Sequence, residues 1–191
     1  MADKSVVVEH KGKLLVLAAA AAITFLFQQE DSTTPKGPSV VYADKLARGI
    51  PTACGGLTNA VSPYPVVVGE IWSAEKCQEA TQLVMVKLQK QILKCLTVPV
   101  SQNTLAALTS HGHNFGWPST CGSQSVKLIN AGKLVEGCDA LAVDAESGKK
   151  VWSFVWSGKY DAEGKKIYVY VEGLQKRRLR EAALCKKPDA K

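Results

Sequence analysis

Residues Tyr42 to Thr58 read YADKLARGIPTACGGLT, a string that few backbone conformations accommodate. Apolar residues flank a polar segment closed by Gly49, and Pro51 cannot donate a ladder hydrogen bond. The stretch is therefore predicted to be a β-hairpin with Pro51 on an edge strand. Asp44 on the first strand and Thr52 on the second are then expected to face each other across the ribbon. A carboxylate and a hydroxyl so placed can hold one water between them.

The rest of the chain must support that hairpin, and the full 191 residues, 46% of them hydrophobic, have material for one domain with a real core. A net charge of +7 favours an anionic partner or surface. Nucleic acid is not the expected partner. The basic residues are scattered except at Lys176-Arg177-Arg178 and Arg180, and no zinc-finger or aromatic RNA-binding pattern accompanies them. Six widely spaced cysteines form no C-x-x-C and no metal-knuckle spacing, which points to disulfides in an oxidising compartment and not to zinc.

The N-terminus bears on the compartment. Residues 1–13 carry Lys4, Lys11 and Lys13 and read as a cytoplasmic basic end, and residues 14–27, LLVLAAAAAITFLF, carry no charge. A basic flank before an apolar run is an export signal. Cleavage in the alanine run would leave Ile23 to Phe27 as an apolar new terminus, so an uncleaved single-pass anchor is expected, with the rest of the chain in the bacterial periplasm or an equivalent space. Fourteen helical residues rise about 21 Å against a hydrocarbon core of about 30 Å, so the anchor is a weak one. Residues 28–39 follow as a polar linker with two prolines and a glycine, and they contain the adjacent acids Glu30 and Asp31.

Beyond the hairpin, helices dominate. Ser73 is a candidate N-cap with Glu75 in the first turn; Val84, Leu88, Ile92 and Cys95 recur at helical spacing, while Lys87, Lys90 and Lys94 line the solvated side. Ser101 or Asn103 can cap a second helix through Leu105 and Leu108. Short helices are expected at Ser123–Ala131 and Leu134–Leu141, a small hairpin flap at Val151–Val171, and a basic helix at Gly173–Cys185. Domain organisation thus reads as residues 1–13, the anchor 14–27, the linker 28–39, a folded domain 40–187 and a tail 188–191.

A set of short motifs occurs in order along residues 42–185: Tyr42-x-Asp44, Gly49-x-Pro51-Thr52-x-Cys54-x-Gly56-x-Thr58, Ala74-Glu-Lys-Cys77, Ala106-Ala-Leu-Thr-Ser110 with Asn114-x-Gly116, Ser119-Thr-Cys121, Leu128-Ile-Asn-Ala-Gly132, Gly137-Cys138-Asp139, Trp156, and Gly173-Leu-x-x-Arg177-Arg178-x-x-Glu181-x-x-Leu184-Cys185. The ordered set resembles the phage-type lysozymes, the endolysins that cut peptidoglycan at the end of infection. The resemblance implies an α+β, mainly helical, lysozyme-like domain with a small β-hairpin lobe, preceded here by the membrane anchor. The weak anchor is similar to that of the signal-arrest-release endolysins, which are exported tethered and inactive and leave the membrane when its potential collapses. No cysteine lies in residues 14–27, so control would come from tethering itself and not from disulfide exchange with the anchor.

The family's chemistry is hydrolysis of the bond between N-acetylmuramic acid and N-acetylglucosamine by a Glu, an Asp and a Thr. By motif, Asp44 and Thr52 match the second and third. The position matching the family's glutamate is Pro35, and the nearest upstream glutamate is Glu30. Glu30 reaches the site through a longer connection, or Asp31 replaces it, or the acid is absent and the scaffold only binds peptidoglycan. Glu30 is the expected acid. No cofactor and no metal are expected, and a monomer acting on peptidoglycan is the expected state. His111 and His113 would point apart on a helix with no third ligand near, Ser110 reads as a helix-surface serine, and Trp117, Trp152 and Trp156 read as core before sugar platform, although the resemblance puts Trp152 and Trp156 at the border of the cleft. Arg177 and Arg178 are expected to pair with acids and fix the last helix. The resemblance further implies the disulfides Cys138–Cys185 and Cys54–Cys77, leaving Cys95 with Cys121.

Overall fold

The computed structural model describes residues 6–17, 39–45 and 49–189. The chain divides into two compact units, Met1–Gln91 and Ile92–Lys191.

The first unit opens with a hairpin of β1 (Val6–His10) and β2 (Lys13–Leu17), in register from Val6 opposite Leu17 to His10 opposite Lys13. This corrects the expected helical anchor at its start, because Leu14 to Leu17 stand in a strand. Three consecutive valines supply the β-branched partner, and Lys11 and Gly12, both at positive φ, form the two-residue turn whose twist suits a hairpin. Leu15 and Leu17 are buried while Leu14 and Val16 are exposed, the two-residue period of a half-buried strand. An apolar run of this kind does not distinguish strand from helix by itself. The rest of the expected span, residues 18–27, and nearly all of the expected linker lie outside the described residues. Among the described residues no helix is long and apolar enough to cross a membrane.

Strands β3 (Ser39–Val40) and β7 (Ile71–Trp72) pair antiparallel, and β4 (Tyr42–Asp44), β5 (Ile50–Ala53) and β6 (Leu57–Thr58) form a three-stranded antiparallel sheet. Helix α1 (Ala74–Cys95) follows, with the Ser73 hydroxyl accepting from the Lys76 N–H at 3.2 Å at its start. One core joins these parts: Val41, Ala53, Leu57, Val66 and Trp72 pack with Cys77, Ala80 and Val84 of α1, and the Cys54–Cys77 disulfide ties the sheet to the helix.

The second unit holds the C-terminal end of α1 and helices α2 (Gln102–Phe115), α3 (Trp117–Cys121), α4 (Gln124–Asn130), α5 (Leu134–Asp139) and α6 (Glu172–Cys185). Ser101, not Asn103, caps α2, its hydroxyl accepting from the Thr104 N–H at 2.9 Å. Asn130 clamps the chain leaving α1: its amide donates to Cys95 O and its carbonyl accepts from the Thr97 N–H, both at 2.8 Å. Disulfides Cys95–Cys121 and Cys138–Cys185 complete the three expected pairs. The flap is a hairpin of β8 (Phe154–Tyr160) and β9 (Lys166–Tyr170) with a register shift between Trp156 and Tyr160.

Candidate active site

In the β4–β5–β6 sheet Tyr42 is opposite Thr52, Ala43 opposite Pro51, Asp44 opposite Ile50, and Thr52 opposite Thr58. Asp44 and Thr52 therefore do not face each other directly, as the sequence suggested. The strands alternate, so Asp44, Thr52 and Thr58 share one face of the sheet, with Asp44 and Thr52 as diagonal neighbours. Ala53 and Leu57 point the other way, into the core. Diagonal positions stand roughly 7–8 Å apart between backbones, a span that a carboxylate, a hydroxyl and one intervening water can fill.

The sheet fixes both residues by backbone means. The Gly49 N–H donates to Asp44 O at 2.6 Å, and Gly49 at φ +80° closes the turn that ends β4. Thr52 is 2% exposed, and its hydroxyl donates to Ile50 O at 3.0 Å, which leaves the oxygen lone pairs to accept from water. Asp44 is half-buried at the strand end. On the next turn Cys54 takes a positive φ of 49° ahead of Gly55 and Gly56, a tight reversal held from below by the disulfide to Cys77. Glu30 and Asp31, the two possible acids, lie outside the described residues, so the structure brings together two of the three predicted site residues.

A second polar cluster lies buried in the other unit. Glu181 of α6 accepts from Arg178 at 2.8 Å, Arg177 at 3.2 Å and the Ser110 hydroxyl of α2 at 2.6 Å. Ser110 is thus a core residue that pins two helices, not the helix-surface serine expected. Burial pushes the Glu181 carboxyl up, while Arg178, Arg177 and Ser110 pull against that shift. The spacing Arg177-Arg178-x-x-Glu181 carried the signal, because positions three and four apart meet on a helix. His111 is buried beside this cluster with Nδ1 2.9 Å from Thr120 Oγ1. Its ring packs edge-on to Trp152 at 4.8 Å and against Phe115 at 5.2 Å. These are packing roles. Trp152 holds this place at φ 57°.

The sheet with its polar face, the six helices among the described residues and the disulfide frame define a lysozyme-like α+β protein, a glycoside hydrolase of the lysozyme class. The chain matches Phage lysozyme over residues 38–181 and belongs to that family. It is 30% identical over 173 residues to the SAR-endolysin of Pseudomonas phage phiKMV, covering 91% of each chain. It is 31% identical over 108 residues to the endolysin of Salmonella phage P22, covering 56% of this chain and 73% of that protein. Among solved structures it is similar to the endolysin from Escherichia coli O157:H7 phage FAHEc1, with a TM-score of 0.67 and 25% identity over 88% of this chain and 92% of that one. A lysozyme-type lytic function follows from this membership.

Proposed function

We propose that the protein is a muramidase that hydrolyses the bond between N-acetylmuramic acid and N-acetylglucosamine in peptidoglycan and lyses the bacterial host at the end of phage infection. The observation that carries this reading is the shared face of Asp44 and Thr52 on the β4–β5–β6 sheet of a phage lysozyme. Cleavage breaks the bond between the anomeric carbon and the bridging oxygen. A carboxylic acid protonates that oxygen, and water supplies the group that replaces it. Glu30 is assigned the acid role. Asp44 places negative charge beside the oxocarbenium-like carbon, and Thr52 with Asp44 orients the water.

Clearing of a turbid peptidoglycan suspension tests this. Glu30→Gln and Asp44→Asn should each lower the rate about 10²-fold or more, the lower end of what a positioned acid or base contributes. Full activity in Glu30→Gln would overturn the acid assignment and leave the fold intact.

Activity is held back, in this reading, while residues 14–27 tether the chain to the host inner membrane. Only Gln28 and Gln29 separate Glu30 from Phe27, so an inserted segment holds Glu30 at the lipid headgroups, away from Asp44. Leu14 to Leu17 stand in the β1–β2 hairpin, so tethering requires that hairpin to open. Replacing residues 14–27 with a cleavable export signal should give lysis at once; a persisting need for membrane depolarisation would refute tethering as the control.

A further inference from the structure

The β8–β9 hairpin leaves aromatic surface in solvent that no core explains. Its register sets Phe154 opposite Tyr170 and Trp156 opposite Tyr168, so four aromatic residues share one face, and Tyr160, opposite Lys166, joins them past the irregularity. Phe154, Tyr160, Tyr168 and Tyr170 are each more than 40% exposed. A two-stranded hairpin gains little stability from rings that face water, and a contiguous exposed apolar face marks a site of interaction.

The rings are held in place. Trp156 Nε1 donates to Lys159 O at 2.9 Å, and Trp156 and Tyr160 meet edge to face at 5.5 Å, as Phe154 and Tyr170 do at 5.8 Å. Cations stand among them: Lys166 Nζ lies 5.3 Å from the Trp156 ring centre, and Lys150 Nζ lies 4.5 Å from that of Tyr170. Residues 149–170 carry five lysines against two acids. Rigid rings bind at a low cost in conformational entropy, and their negative faces attract the weakly positive C–H groups on the flat side of a sugar ring.

We propose that this face is a binding platform for the peptidoglycan strand, with sugars stacked on the rings and Lys150 and Lys166 meeting carboxylates of the peptide branches. The proposal rests on the reading of the chain as a peptidoglycan hydrolase. An anionic bilayer fits the face less well. Asp161 and Glu163 sit at the tip, where Asp161 accepts from the Glu163 and Lys165 N–H groups, and the Trp156 N–H that would bond a headgroup is already used within the hairpin.

The test is co-sedimentation of the full chain carrying Asp44→Asn, which keeps the substrate intact, with insoluble peptidoglycan and separately with phosphatidylglycerol vesicles. Trp156→Ala with Tyr168→Ala should weaken retention on peptidoglycan about tenfold or more. Lys150→Gln with Lys166→Gln, which leaves the rings in place, should weaken it several-fold and reduce its salt sensitivity. Unchanged retention in both pairs overturns the platform, as does a loss seen with vesicles but not with peptidoglycan. Turbidity clearing by the unmodified chain tests the hydrolase reading separately, so a failed platform and a failed hydrolase give different results.

Discussion

Glu181→Gln removes one negative charge from between two buried guanidiniums and keeps the size of the side chain. The Arg177, Arg178 and Glu181 side chains are 5%, 0% and 0% exposed, so water cannot replace the lost partner. Both cations then stay buried without their shared anion, and Ser110 loses a charged acceptor. Breaking a buried pair by removing one member costs about 3–5 kcal/mol, much more than the pair's net worth. For a chain of this length each kcal/mol moves the melting temperature about 2–4 °C, so the variant should melt about 6–20 °C lower. Adding Arg178→Met should recover part of that loss, because an apolar side chain in the same space halves the buried positive charge left without an anion, leaving Arg177 alone. Far-UV circular dichroism on heating gives both numbers. A drop of less than about 3 °C in Glu181→Gln, or a further drop in the double variant, would refute the idea that an uncompensated buried charge sets the cost.

Two other perturbations follow from the same packing. Burial, with Arg178 and Arg177 adding repulsion, holds the His111 imidazole well below its usual value of 6.5. The unfolded chain then takes up a proton that the folded one refuses, so this contribution to stability is whole above about pH 6.5 and is lost as pH falls below it. Melting temperatures between pH 7 and pH 5 should fall more steeply for the unmodified chain than for His111→Gln; equal slopes would clear His111 of any part. At Gly137 a Cβ would lie 2.7 Å from Ile129 Cγ1 and 2.9 Å from both Ile129 N and Ser125 O. Two of these atoms are backbone and cannot turn aside, so Gly137→Ala should cost about 1–3 kcal/mol in urea unfolding. Gly173→Ala, with nothing within 4 Å, should be neutral or stabilising.

Much of the architecture was legible from local chemistry. Ser73, Ser101 and Ser123 cap the helices that follow them, because a serine hydroxyl satisfies an N–H that the helix leaves open. The exposed lysines and buried Val84 and Ile92 of α1 lie where the helical period puts them. The lysozyme class was likewise carried by the ordered motifs, since a glycine at a positive φ beside a fixed Asp and Thr survives as a pattern of letters. Asp44 and Thr52 were nominated that way, and the motif left the acid open, because Pro35 occupies the matching position and leaves no local reason to choose an acid.

What tertiary structure decided was pairing and burial. The diagonal placement of Asp44 and Thr52 depends on strand register, which the turn residues constrain but do not fix alone. Ser110 became a core residue only because α6 brought Glu181 to it from 71 positions away. Leu14 to Leu17 carry the same letters whether they enter a bilayer or pair with three valines; the partner strand decides, and a run of apolar residues does not name its partner. The sequence therefore determined the capped helices, an even set of six cysteines suited to an oxidising compartment, and the family. Which side chains meet was left to contacts between distant segments.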